Sequence, residues 1–117
     1  MARIAFISGG RVFTIESDGS NRIRLTGGPR PRPGETADYS PAWSPDGSRF
    51  AFVRVVELAD DDYRTRIYLM QADGTGRELL TESGRRAFVL DPEWSPGGGR
   101  LAYARFGVSR SRCHFDP

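Results

Sequence analysis

A chain of 117 residues has room for one small domain or a piece of a larger one. Its hydrophobic fraction of 38%, charged fraction of 27%, 14 glycines and 8 prolines describe a turn-rich, all-β polypeptide rather than a helical bundle. The net charge of +2 rests on 17 arginines scattered among acidic neighbours, which argues against nucleic acid as a partner, and no apolar stretch is long enough for membrane insertion.

In chain order, the first apolar run is Arg3-Ile4-Ala5-Phe6-Ile7. It is too short for the hydrophobic region of a secretory signal, so the chain as written reads as cytoplasmic, or extracytoplasmic if it is a fragment of an exported protein. The run matters more because it returns as Arg49-Phe50-Ala51-Phe52 and again as Arg100-Leu101-Ala102-Tyr103, 46 and then 51 residues on. Next, Val12-Phe13-Thr14-Ile15-Glu16-Ser17-Asp18-Gly19-Ser20 returns as Ile67-Tyr68-Leu69-Met70-Gln71-Ala72-Asp73-Gly74-Thr75, and Leu25-Thr26 as Leu80-Thr81, both 55 residues on. The offsets reconcile when extra residues are placed in connectors, as expected of a structural repeat whose units pack on their neighbours.

Between the copies, Gly27-Gly28-Pro29-Arg30-Pro31-Arg32-Pro33-Gly34 offers Arg30 and Arg32 to a phosphate or acidic group but reads as a semi-rigid extended connector. Pro41-Ala42-Trp43-Ser44-Pro45-Asp46-Gly47 follows and returns as Pro92-Glu93-Trp94-Ser95-Pro96-Gly97-Gly98. Ser-Pro-Asp-Gly suits a tight turn: Pro presets φ, Asp bonds its own backbone, and Gly accepts a positive φ. Residues 41–44 then form a short inner strand and residues 49–56 a strand apolar at consecutive positions, hence covered on both faces. Asp60-Asp61-Asp62 lacks the alternating ligands and the glycine of a calcium loop and reads as a solvated connector. Residues 66–72 lead through Asp73-Gly74, a hairpin signal, into residues 77–81. Four antiparallel strands in about 50 residues is the size of one propeller blade.

The tail holds Ser109, His114 and Asp116, the residue types of a hydrolytic triad, but without a strained elbow to present the serine it reads as a frayed end. Gly97-Gly98-Gly99 is not followed by a helix that would aim at a phosphate. Cys113 is the single cysteine, so no disulfide forms within one chain. Trp43 and Trp94 hold equivalent places in successive units and are expected to pack between them. No catalytic residue, metal site or cofactor is expected.

The order Pro-x-Trp-Ser-Pro-Asp-Gly, Arg-x-Ala-Phe, Ile-Tyr-x-Met, Ala-Asp-Gly-Thr and Leu-Thr resembles the WD-like repeats of TolB-like β-propellers over roughly residues 3–105. Related blades occur in the propeller domains of prolyl oligopeptidase-type enzymes. The resemblance implies a partial propeller of about two and a part four-stranded antiparallel blades: residues 3–26 a partial blade, 40–81 a complete one and 91–105 a partial one, with 107–117 a C-terminal tail. It further implies a non-catalytic scaffold for a protein or peptide partner, or alternatively an accessory propeller fragment of a prolyl oligopeptidase-like or other hydrolase. Bare terminal blades imply a homo-oligomer or membership of a larger propeller. Asp38, Tyr39, Ser40, Leu90 and Asp91 precede the inner strands and are expected to contact a ligand at the channel mouth.

Overall fold

The computed structural model describes residues 3–27, 34–59, 62–84, 87–108 and 113–116. Ten strands run in order: β1 (Arg3–Ser8), β2 (Arg11–Glu16), β3 (Ile23–Arg24), β4 (Glu35–Trp43), β5 (Arg49–Ala59), β6 (Asp62–Gln71), β7 (Glu78–Glu82), β8 (Ala87–Trp94), β9 (Leu101–Val108) and β10 (Cys113–Asp116). They form three antiparallel sheets, β1-β2-β3, β4-β5-β6-β7 and β10-β9-β8, and no helix occurs among the described residues.

The turns repeat because their residues do. Asp18 and Asp73 each accept from the backbone N–H and the hydroxyl two residues on, at 2.9 and 2.6 Å in both copies. Each Asp is followed by a glycine at φ 88°. Asn21 stands where the later unit has Gly76, and both adopt positive φ (54° and 68°), a conformation asparagine tolerates better than most residues. Asp46 accepts from the Ser48 N–H (3.0 Å), the Ser48 hydroxyl (2.7 Å) and the Ser44 hydroxyl (2.8 Å). Together these bonds hold its carboxyl down at about 2, with the Ser48 backbone N–H the largest cause. A carboxyl whose folded value lies below its unfolded one stabilises the fold fully above about pH 4, and that contribution disappears as pH falls through about 2. Acid titration of unfolding should therefore lose stability over that window, and Asp46→Asn should flatten that limb while leaving the neutral plateau's shape unchanged.

The third unit keeps the Ser95 version of this turn, with Arg100 N–H donating to Ser95 Oγ at 3.1 Å, but carries Gly97 where Asp46 stands. Gly97 does not adopt a positive φ, and a Cβ there meets no atom within 4 Å. Gly97→Asp should thus reduce the freedom of the unfolded chain and restore the missing acceptor, raising stability by about 1 kcal/mol. Chemical denaturation midpoints compare the two chains directly.

Sheets stack face to face through residues of alternating direction on each strand. One face of the middle sheet offers Phe50, Phe52, Tyr68 and Met70, which bury Val12 of the first sheet with Ile7, Leu25 and Trp43 against the cluster. The opposite face offers Ala51, Val53 and Ile67, which enclose Val89 of the third sheet with Leu69, Trp94, Leu101 and Tyr103. The consecutive apolar run Phe50-Ala51-Phe52-Val53 is explained: all four residues are fully buried, alternately between one pair of sheets and the next.

Two boundaries differ from the sequence reading. The first strand of the middle sheet begins at Glu35 rather than Pro41, and that of the third sheet at Ala87 rather than residue 91. Each strand is interrupted by a bulge, between Tyr39 and Ala42 and between Leu90 and Glu93, and the apolar pattern breaks there although pairing resumes beyond. Past Val108, Cys113–Asp116 pairs antiparallel with β9, so part of the stretch read as tail belongs to the third sheet.

Candidate functional site

The two bulges are the most distinctive backbone features of the chain. Ser40 and Asp91 sit at φ 53° and 54°, in a region non-glycine residues seldom occupy, and each immediately precedes a proline, Pro41 or Pro92. Proline donates nothing to a ladder, so the strand bends where pairing lapses. Both bulges lie on sheet edges, because β4 and β8 are the terminal strands of their sheets. Those strands pack against one another, joined by the Trp94 indole N–H, which donates to the Ala42 carbonyl at 2.9 Å. The Arg49 guanidinium lies 4.9 Å above the Trp94 ring and closes this seam.

Four of the five expected contact residues crown these bulges: Tyr39 is 47% exposed and Leu90 36%, with Ser40 half-buried and Asp91 exposed. An aromatic ring and an aliphatic side chain held out on rigid backbone, beside a hydroxyl and a carboxylate, suit contact with a peptide. A shallow depression of about 300 Å³ adjoins the second bulge, lined by Asp91, Glu93, Ala102, Tyr103 and Ala104.

Asp38 occupies a different environment. It is fully buried, and its carboxylate receives Arg54 Nε at 2.7 Å and Nη2 at 3.1 Å across directly opposed positions of β4 and β5. The Arg54 guanidinium in turn lies 5.2 Å from the centre of Phe52 and 5.3 Å from that of Tyr68. A carboxylate so enclosed braces the strand one residue before Tyr39 and is not itself presented to a ligand. Two inter-sheet hydrogen bonds complete the brace. Asp38 N–H donates to Gly10 O at 2.8 Å, and at the equivalent place Val89 N–H donates to Thr65 Oγ1 at 2.6 Å. Gly10 is suited to this approach, since at φ 74° a Cβ would meet the Ala37 side chain at 3.1 Å.

The other sequence candidates do not converge on these bulges. Trp43 and Trp94 pack within the two inter-sheet cores. Arg30, Arg32, Asp60, Asp61 and Ser109 lie outside the described residues, and of His114 and Asp116 only the strand they belong to is described. Among the described residues no group of three or more His, Cys, Asp or Glu side chains is arranged to hold a metal ion. No helix there is long and apolar enough to cross a membrane.

No protein-family model matches the chain. It is 33% identical over 100 residues to an uncharacterized protein of Agrobacterium fabrum, a match covering 82% of this chain and 32% of that protein. It is 33% identical over 61 residues to dipeptidyl-peptidase 5 of Porphyromonas endodontalis, covering 51% of this chain and 8% of the peptidase. An uncharacterized peptidase of Bacillus subtilis is 34% identical over 64 residues, 54% of this chain and 9% of that protein. The chain thus spans about a third of one relative and less than a tenth of the two others.

Proposed function

We propose that the chain is a run of blades from a TolB-like β-propeller that serves as a non-catalytic scaffold for a protein or peptide partner, with Tyr39, Ser40, Leu90 and Asp91 as contact residues. The supporting observation is the recurrence of one bulge, with a proline and a left-handed non-glycine residue before it in both copies, on the edge strands of two stacked sheets. Strained backbone that recurs in register at exposed edges is better explained by what it presents than by packing alone. The test is selection of peptides on the intact chain. Binders should lose about tenfold or more in affinity with Tyr39→Ala plus Leu90→Ala, whereas the exposed control Leu79→Ala should change nothing. Equal affinity in all three proteins would remove the bulges from the binding surface.

A second reading, an accessory propeller portion of a hydrolase, is favoured by the peptidase names of two relatives. The matched lengths of 61 and 64 residues are little more than one repeat spacing, which fits a shared structural unit. An in-frame α/β-hydrolase region with a Gly-x-Ser-x-Gly elbow in the neighbouring coding sequence would make this reading the primary one.

Either reading leaves outward faces to cover. The first sheet turns a stacked Phe6 and Phe13 pair away from the core (5.6 Å between centres), and the third a Phe88 and Phe106 pair (6.3 Å). Inside the molecule the register position that matches Phe6 and Phe13, Phe52 on Tyr68, is closed over by a neighbouring sheet. Light scattering should accordingly report species larger than the 13.0 kDa monomer. A well-folded, strictly monomeric solution would count against self-assembly.

A further inference from the structure

The free edge of β1 carries a second, independent signal. In the middle sheet, β5 is flanked by β4, whose Trp43 lies 5.6 Å from the fully buried Phe50 and opposite it in register. β9 is flanked in the same way by β8, with Trp94 opposite Leu101. β1 is the sequence counterpart of β5 and β9, yet among the described residues no strand pairs with its outer edge. Two consequences are visible. Ile4, the counterpart of Phe50, is 51% exposed. The Trp43 indole nitrogen is buried without a hydrogen-bond partner, whereas the equivalent Trp94 nitrogen donates to Ala42 O on the inner strand of the preceding sheet. Ala42 pairs with Ala51, whose counterpart in the first sheet is Ala5. The carbonyl that would satisfy Trp43 therefore belongs to a residue paired with Ala5, on a strand laid along β1.

We infer that the β1 edge is a docking site for an extended antiparallel segment of the Pro-x-Trp-Ser-Pro type carried on another polypeptide, seated with its tryptophan opposite Ile4 and the preceding residue's carbonyl on the Trp43 indole N–H. Main-chain pairing along β1 supplies the affinity. The tryptophan covers Ile4, and the indole bond fixes register, because a one-residue slip turns every side chain to the wrong face. An unmet buried donor is costly to leave, so the same bond rewards the correct occupant. The inference uses the repeat geometry alone and does not depend on the bulges binding a ligand.

A synthetic peptide with this chain's own residues 36–48 is the probe, added to the intact chain labelled with nitrogen-15. Saturable binding should shift the Trp43 indole N–H resonance and slow its exchange with solvent, while the Trp94 indole resonance stays in place. Trp43→Phe, which keeps the ring and removes the donor, should weaken binding about five- to tenfold, and replacing the peptide's tryptophan with alanine should abolish most of it. Failure to saturate, binding that leaves the Trp43 resonance unmoved, or movement of the Trp94 resonance would each overturn the inference, the last because the peptide would then have displaced β4. Tyr39→Ala plus Leu90→Ala should not alter this binding, which separates its outcome from that of the bulge experiment.

Discussion

Asp38→Ala should destabilise the protein by about 3–5 kcal/mol, enough to unfold much of a domain whose total stability is of the order of 5–15 kcal/mol. The loss comes less from the missing attraction than from what remains. Arg54 is 2% exposed, so its guanidinium would stay buried beside Phe52 and Tyr68 with the Asp38 carboxylate, which receives two of its N–H groups, removed. Removing both charges together with Asp38→Val and Arg54→Leu should recover most of the stability, since a buried ion pair is often no better than apolar side chains of similar volume. Valine is a reasonable choice because the third sheet already holds Val89 at the position equivalent to Asp38. Screening salt should barely alter the wild-type value, unlike that of an exposed pair such as Arg3 with Glu16. Urea unfolding of the wild type and of the single and double variants, with and without salt, checks all three expectations.

Phe52→Ala should cost a similar amount, about 3–5 kcal/mol, by opening a cavity between the first and middle sheets. Phe52 is fully buried, stacked on Tyr68 at 5.6 Å and tilted against Phe50 at 5.8 Å, and these two ring neighbours in a close-packed interior cannot fill the space left. Phe6 is the matching residue of the first sheet and makes the matching contact with Phe13, yet it lies on the outward face, with the Arg22 guanidinium 5.6 Å from its ring centre. Phe6→Ala should therefore cost only about 1–2 kcal/mol. The difference between two substitutions at one repeat position measures what a covering sheet contributes. Equal losses would mean that the outward face is already covered in solution.

These contrasts also show which features are readable in the amino-acid sequence. The Arg-x-Ala-Phe runs, the Asp-Gly hairpins and the Ser-Pro-Asp-Gly turn are local, and each recurs, so neighbouring copies corroborate one another. Asp38 is less legible. It reads as a contact residue ahead of an inner strand, and its burial depends on Arg54 sixteen residues later falling directly opposite it across β4 and β5. The available clue was the alternation Phe50, Phe52, Arg54, which puts the arginine on the aromatic face and calls for a buried anion. The bulges are hidden for a related reason: a left-handed residue before proline breaks the period-two pattern, so the sequence pattern starts the strand at Pro41. Nor does the sequence distinguish Trp43 from Trp94, because the difference between them lies in a neighbouring sheet edge.

Three similar segments fold into like sheets stacked in chain order, the middle one buried on both faces. Long-range nuclear Overhauser contacts test this arrangement most directly. Contacts are expected from the Val12 methyl groups to Phe50, Phe52 and Met70, from the Val89 methyl groups to Ala51, Val53 and Ile67, and none between Val12 and Val89. Contacts joining Val12 to Val89, or absence of both inter-sheet sets in a folded sample, would contradict it.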